Sequence, residues 1–360
     1  MARNSTLNRA KVAKQDEYYT RREDIEAELS HYERFFRGKV VYCNCDDPVT
    51  SEFWQFFARN YHPWGLKKLL ATHYEPNEKN FTYKLDLSKD TNGDGVINLF
   101  DEPEIIPLQC NGDFRSADCI EILKEADIVC TNPPFSQVRD YLVQLLEYNK
   151  DFVCMAPLNA VKYRDVFPLI RDGKMWLGYK PMGKDTLFRV PPDYAAYLME
   201  HKKEGSGYKV VDGEILARAS VIWLTNLDID KRHDFIDLRG NYYKPEKYPK
   251  LANFDAIYVK NVADIPCDYD GVMAVPITYA EVHNPNQFEL LGKTGDIDFA
   301  KECGFFTPPD EDEYKAFRKQ NVTWRVQNGY FVDSNGVAHT TFDRFFIKNK
   351  HPEKRRFPDV

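Results

Sequence analysis

Short continuous apolar runs alternate with helically spaced stretches along the first half of the chain. Residues 39–43 (Lys39-Val40-Val41-Tyr42-Cys43) form a run fit for a buried strand. Residues 51–61 follow, with Phe53, Trp54, Phe56 and Phe57 at helical spacing. Residues 68–73 predict a second strand, and residues 105–109 a third after a long polar insertion. Residues 116–125 predict a short amphipathic helix with Ile120 and Leu123 on one side. Residues 127–131 predict the fourth strand. Residues 137–148 place Val138, Tyr141, Leu142, Leu145 and Leu146 on one helical face. Residues 152–155 and 175–179 predict a fifth and a sixth strand.

This alternation predicts an α/β fold built on a mainly parallel sheet with helices on both faces. Such sheets bind ligands beyond the carboxyl ends of their strands. The pattern changes after about residue 185. Residues 217–225 predict one strand that returns to the sheet. From Asn226 onward Tyr, Asn, Pro and Asp residues are frequent, with short apolar stretches such as Ala256-Ile257-Tyr258-Val259. This loop-rich half is the expected specificity region. No internal repeat and no low-complexity segment occurs.

The 360 residues fit one large domain or two, and the hydrophobic content of 43% is that of a globular protein. No run approaches a membrane span. The polar, basic start of the chain lacks the apolar stretch of a signal peptide, so a cytoplasmic location without membrane attachment is expected. Cysteines at 43, 45, 110, 119, 130, 154, 267 and 303 contain no CxxC pair, so buried reduced thiols are expected and no metal ligand set is assigned. The net charge of −7 sits awkwardly with binding of a phosphate backbone. Local surfaces can still be basic. Arg344, Lys348, Lys350, Lys354, Arg355 and Arg356 crowd one stretch with only Glu353 among them, and residues 162–189 are also basic.

The strongest chemical signal is Asn132-Pro133-Pro134-Phe135, directly after the fourth strand. A nucleobase amine is a poor nucleophile because its lone pair is delocalised into the ring. Two acceptors on its two hydrogens can turn the lone pair towards a methyl donor. The Asn132 amide oxygen supplies one and the Pro133 carbonyl the other. Pro133 and Pro134 stiffen the turn, so the acceptors are placed before the substrate arrives. Phe135 offers a flat face for an extruded base. The competing reading is an ordinary Asn-Pro turn with Phe135 in the core.

The sequence resembles the DNA adenine-N6 methyltransferases, and among them the EcoRI-type modification methylases and their phage relatives. The resemblance runs through Asp16-Glu17-Tyr18-Tyr19-Thr20, Val41 to Pro48, Gly112-Asp113-Phe114-Arg115-Ser116 and Asp127 to Ser136. It continues at Val275-Pro276-Ile277-Thr278-Tyr279 and Asn284 to Glu289. It implies a Rossmann-like, S-adenosylmethionine (SAM)-dependent methyltransferase sheet with a loop-rich C-terminal target-recognition region. It implies direct methyl transfer from SAM to N6 of adenine in duplex DNA, with base flipping and no covalent enzyme intermediate. A monomer is expected; the role stays open between restriction–modification, with a cognate endonuclease encoded nearby, and an orphan phage methylase that protects its own DNA. Asn132, Pro133, Pro134 and Phe135 match the catalytic motif. Asp113 and Phe114 match the contact to the adenine of SAM, Asp46 and Asp47 the methionine end, and Tyr18, Tyr19 and Thr20 the N-terminal cofactor motif. Glu75 is the candidate for the ribose. The implied division is 1–36 for the N-terminal cofactor segment, 37–225 for the catalytic domain and 226–360 for target recognition.

Two features depart from that pattern. The loop Asn44-Cys45-Asp46-Asp47-Pro48 has no glycine, so close backbone approach to the cofactor is not expected there and side chains take its place. Residues 90–101 match parts of a calcium loop, Asp90, Asn92 and Asp94 included, but a strand-like run precedes them and Pro103 follows. A polar turn is the plainer reading. Other readings of the whole are an amino-methyltransferase acting on RNA or a protein glutamine, or an inactive DNA- or calcium-binding module.

Overall fold

A computed structural model of the chain describes residues 18–45, 48, 51–75, 82–242, 245–308, 311, 312, 315, 328–333 and 335–353. The chain divides into two compact units, one of residues up to Val166 with Met175–Ile229, the other of Phe167–Lys174 with Asp230 onward.

In the first unit the strands are β1 (Tyr19–Thr20), β2 (Val40–Cys43), β3 (Lys68–Thr72), β4 (Tyr83–Leu87), β5 (Glu104–Pro107), β6 (Ile128–Thr131), β7 (Asp151–Pro157), β8 (Trp176–Leu177), β9 (Thr186–Arg189), β10 (Tyr208–Val211), β11 (Glu214–Ala219) and β12 (Val221–Thr225). The helices that concern the site are α1 (Arg22–Leu29), α2 (Glu52–Trp64), α3 (Ala117–Glu125), α4 (Val138–Glu147) and α5 (Pro192–His201). Eight strands form one sheet in the order β5-β4-β3-β2-β6-β7-β12-β8. The fold is mixed α/β, as the sequence pattern predicts.

The sheet is less parallel than expected. β3-β2-β6-β7 run parallel. β4 and β5 add antiparallel on one side, and β12 and β8 on the other. The antiparallel strands lie outermost, where the chain can return without a crossover helix. The central strands are buried along their whole length, which explains their unbroken apolar runs. Val41, Leu69, Cys130, Met155 and Trp223 share one core with Ile25 and Leu29 of α1 and Phe53, Phe56 and Phe57 of α2. The amphipathic pattern of α2 is read correctly from sequence. Ser51 caps it by accepting from the Phe53 N–H at 3.2 Å, and Gly65 ends it in a left-handed turn. In α3 the buried residues are Cys119, Ile122 and Leu123 rather than Ile120.

The single strand expected over residues 217–225 is two. β11 and β12 part at Ser220, whose hydroxyl donates to Asp185 at 2.5 Å. β11 belongs to a second sheet, β1-β9-β11-β10, and only β12 returns to the large one. No amphipathic signal marks this break, because residues on both sides are apolar enough for a strand.

In the second unit β13 (Ile257–Tyr258), β14 (Val272–Pro276), β15 (Phe288–Lys293) and β18 (Arg344–Asn349) make a four-stranded sheet in the order β13-β14-β18-β15; β16 (Tyr330–Val332) pairs with β17 (Ala338–Thr340). Arg344, expected on a basic surface, is buried instead. Its guanidinium reaches the Tyr258 hydroxyl at 2.8 Å and lies over the Tyr258 ring. Lys348 and Lys350 are exposed, while Lys354, Arg355 and Arg356 lie outside the described residues.

His283 shares a hydrogen bond of 2.9 Å with the Tyr279 hydroxyl. Loss of water around the ring, then the charges of Arg232 and Lys350, pushes its imidazole from 6.5 down to about 4. The unfolded chain therefore takes up this proton near pH 6.5 and the folded chain only near 4. Stability of the second unit is expected to fall as pH drops through that window. Urea midpoints from pH 7 to pH 4 check this, and His283→Gln should flatten the dependence.

Among the described residues no helix is long and apolar enough to cross a membrane. Among the described residues no disulfide is formed. Cys43, Cys119, Cys130, Cys154 and Cys267 are buried as expected, but Cys303 is exposed and Cys45 and Cys110 are half-buried.

Candidate active site

Asn132-Pro133-Pro134-Phe135 leaves the carboxyl end of β6, in the parallel centre of the large sheet. Asn132 is buried. Its Nδ2 donates to the Tyr18 carbonyl at 2.8 Å. Its Oδ1 is out of contact with solvent and has no partner among the described residues. A buried acceptor left unpaired costs free energy of about 1–3 kcal/mol, so Oδ1 is available to a donor that a ligand brings. The hydrogen bond on Nδ2 fixes which end of the amide points away from Tyr18.

The Phe135 ring stacks on Tyr18, with centroids 5.4 Å apart and planes at 22°. Phe188 of β9 meets both rings edge-on. The Tyr18 hydroxyl lies 3.2 Å from that of Tyr194 in α5. The sequence names Tyr18 and Phe135 but gives no sign that they touch. Phe188 and Tyr194 are missed altogether. They belong to the second sheet and its helix, more than fifty residues beyond the motif, and no local pattern links them to it.

Three loops at this edge of the sheet are tied together through Asn44, which follows β2. The Thr131 hydroxyl donates to the Asn44 carbonyl, and the Tyr141 hydroxyl donates to Asn44 Oδ1. Tyr141 in turn meets Phe114 edge-on at 5.0 Å. Catalytic motif, first loop and Phe114 thus share one anchor. Asp46 and Asp47 lie outside the described residues; of this loop Asn44, Cys45 and Pro48 are described.

Cys45 has φ of 71°, in the left-handed region. The loop without glycine still makes the turn that glycine makes easily, at a cost of roughly 1–2 kcal/mol for a side chain. Cys45→Gly is therefore expected to be neutral or stabilising by up to about 1 kcal/mol, after the added freedom of the unfolded chain. Cys45→Val should destabilise. Paired urea titrations check the opposite signs.

Gly112 is the position where glycine is indispensable. It has φ of +78°, and a Cβ there would lie 2.1 Å from the His73 carbonyl oxygen. This brings the loop of Asp113 against the end of β3, where the Glu75 N–H donates to the Asn111 carbonyl at 2.9 Å. Asp113 is held by its neighbour: Arg115 Nε donates to Oδ1 at 2.8 Å and a terminal nitrogen to Oδ2 at 2.6 Å. Phe114 is buried under the Arg115 guanidinium. Thr20 donates its hydroxyl to Met155 Sδ at 3.3 Å, and Tyr19 pairs with Arg189 across β1 and β9.

The insertion of residues 90–101 is stitched by its own side chains. Asp101 accepts the N–H groups of Thr91 and Asn98, at 2.7 and 2.8 Å. Asp90 accepts those of Gly93 and Gly95. These are the bonds of a polar turn.

A stiff proline turn that sets a side-chain amide at the end of a central strand is the mark of enzymes that methylate amino groups. Comparison with known proteins narrows the class. The family described as "Adenine-specific methyltransferase EcoRI" matches residues 6–350, and the chain belongs to that family. It is 43% identical over 303 residues to the Type II methyltransferase M.EcoRI of Escherichia coli, covering 81% of this chain and 90% of that one. It is 39% identical over 290 residues to the Type II methyltransferase M.MpnI of Mycoplasma pneumoniae, covering 79% and 84%. No solved structure matches. The protein is an adenine-specific DNA methyltransferase that draws on a methyl donor.

Proposed function

We propose that the chain transfers the methyl group of SAM to N6 of a target adenine turned out of duplex DNA. The observation that carries this reading is Asn132 Oδ1, buried without a partner among the described residues while its Nδ2 is fixed on Tyr18. Oδ1 and the Pro133 carbonyl would accept the two N6 hydrogens and favour a pyramidal nitrogen whose lone pair leaves conjugation with the ring; after transfer the methylated N6 loses one proton to solvent. The same acceptors stabilise the positive charge that grows on N6 as it is methylated. Phe135 carries the base by stacking. An acceptor this deep is out of reach of a base inside the helix, which supports base flipping.

The loops joined through Asn44, with the loop of Gly112 packed against the end of β3, suit SAM on a Rossmann-like sheet. When bound, SAM supplies an electrophilic methyl group on a sulfonium. Asp46 and Asp47 would hold its methionine end, Asp113 and Phe114 its adenine, and Tyr19 and Thr20 the flank. Asp113 can exchange Arg115 for the cofactor's amine cheaply, since a half-exposed ion pair contributes little, about 1 kcal/mol or less.

Residues 226–360 would read the DNA, with Lys348 and Lys350 on its backbone. The relatives' designation as Type II methyltransferases supports a restriction–modification role beside a cognate endonuclease. The proposal takes the enzyme as a cytoplasmic monomer. Incubation with radiolabelled SAM and separate duplex DNA, RNA and protein acceptors tests the substrate. Label in duplex DNA alone is expected; label in RNA or protein instead would overturn the reading.

A further inference from the structure

The acceptor that must meet the target amine is sealed in this structure. Asn132 Oδ1 touches no solvent, so something over it must move before a base can arrive. Tyr18 is joined to the motif twice. Its carbonyl holds Asn132 Nδ2, and its ring lies on Phe135. Two rings in stacking contact leave no room for a third between them. The Tyr18 ring is held in turn by the edge of Phe188 and by the hydroxyl of Tyr194. Tyr18 and Tyr194 also line a cavity of about 420 Å³, together with Leu198, Lys202, Gly207 and Arg218. The cavity gives the ring somewhere to turn.

We propose that Tyr18 is the second wall of the target-base slot. Without DNA it covers Phe135. As the adenine enters, the ring leaves Phe135, releases Tyr194 and closes on the opposite face of the base. Its carbonyl keeps Asn132 Oδ1 aimed at N6 throughout. Tyr18 thus serves the DNA side of the reaction, although it stands two residues from Thr20 in the segment whose motif is assigned to the cofactor. The inference rests on the reading that Phe135 carries the target base.

The test begins by mapping the methylated site of the wild-type enzyme by sequencing, which also establishes adenine methylation independently of Tyr18. A duplex with 2-aminopurine at the target position then reports base entry and stacking. For Tyr18→Leu, kcat is expected to fall about tenfold to a hundredfold, the value of one lost stacking contact. The 2-aminopurine emission of the complex should rise severalfold as its quenching neighbour is lost, with the Kd for SAM unchanged. Tyr18→Phe and Tyr194→Phe keep the stack and break the hydroxyl pair. Each should speed base entry severalfold, and the double variant no more than either alone. Wild-type kcat and emission in Tyr18→Leu, or weakened SAM binding as its sole effect, would overturn the proposal. Should Tyr18→Leu fail to fold, unchanged base entry in both hydroxyl variants overturns it equally.

Discussion

Asn132→Ala is expected to lower the rate of methyl transfer by about a thousandfold and to leave SAM binding intact. The magnitude follows from what the side chain does. In the proposed mechanism its Oδ1 is one of two acceptors on the target amine, and it is held in place and shielded from water before the substrate arrives. Removing a fixed acceptor that meets the charge of a transition state costs roughly 3–4 kcal/mol, whereas the loop after β2 is tied to β6 through Thr131, which the substitution leaves in place. Asn132→Asp is a sharper variant. It keeps an oxygen for the amine but sets a second oxygen against the Tyr18 carbonyl, where Nδ2 now donates. It should recover part of the activity, less than a free acceptor would. Single-turnover methylation at saturating DNA separates the chemical step from binding. A wild-type rate in Asn132→Ala would remove the residue from the mechanism.

The second large effect concerns stability. Glu28 of α1 is buried. Its carboxylate accepts the Tyr32 hydroxyl at 2.8 Å and the N–H groups of Tyr179 and Lys180, each at 2.7 Å. It therefore fastens the N-terminal helix to the turn after β8. Gly178 makes room for it, since a Cβ there would fall 2.1 Å from Glu28 Oε1. Glu28→Ala strands three donors in the interior and should cost about 3 kcal/mol. Glu28→Gln keeps an acceptor for two of them and points an N–H at the third, so a smaller loss is expected. Urea unfolding of the three proteins gives the order. Equal midpoints would mean that the turn after β8 is not held by this carboxylate.

Much of the first unit is legible in the sequence because its central strands are buried on both faces and its helices on one. Uninterrupted apolar runs and helical spacing are the direct consequences. Strand direction is not legible: an antiparallel partner such as β4 carries the same apolar pattern as a parallel one. The break at Ser220 is hidden for a similar reason, since neither side of it changes character. In the site, the motif stands out in sequence through its place directly after a buried strand, since a proline turn alone is common. The pairing of Tyr18 with Phe135 does not, because it joins segments more than a hundred residues apart. Cys45 shows the limit from the other direction. The absence of glycine suggests a different loop, yet the left-handed turn is made by a cysteine. Arg344 shows it again, since a charge in a basic run is expected at the surface, and here Tyr258 takes it inside.

The central claim is that N6 of adenine in DNA receives the methyl group, with Asn132 presenting the acceptor. The most direct test is nucleoside analysis by mass spectrometry. Duplex DNA is treated with the enzyme and SAM bearing a deuterated methyl group, then digested to nucleosides. The account predicts label in N6-methyldeoxyadenosine alone, accumulating about a thousandfold more slowly with Asn132→Ala. Label in any other nucleoside, or equal label from the variant, would contradict it.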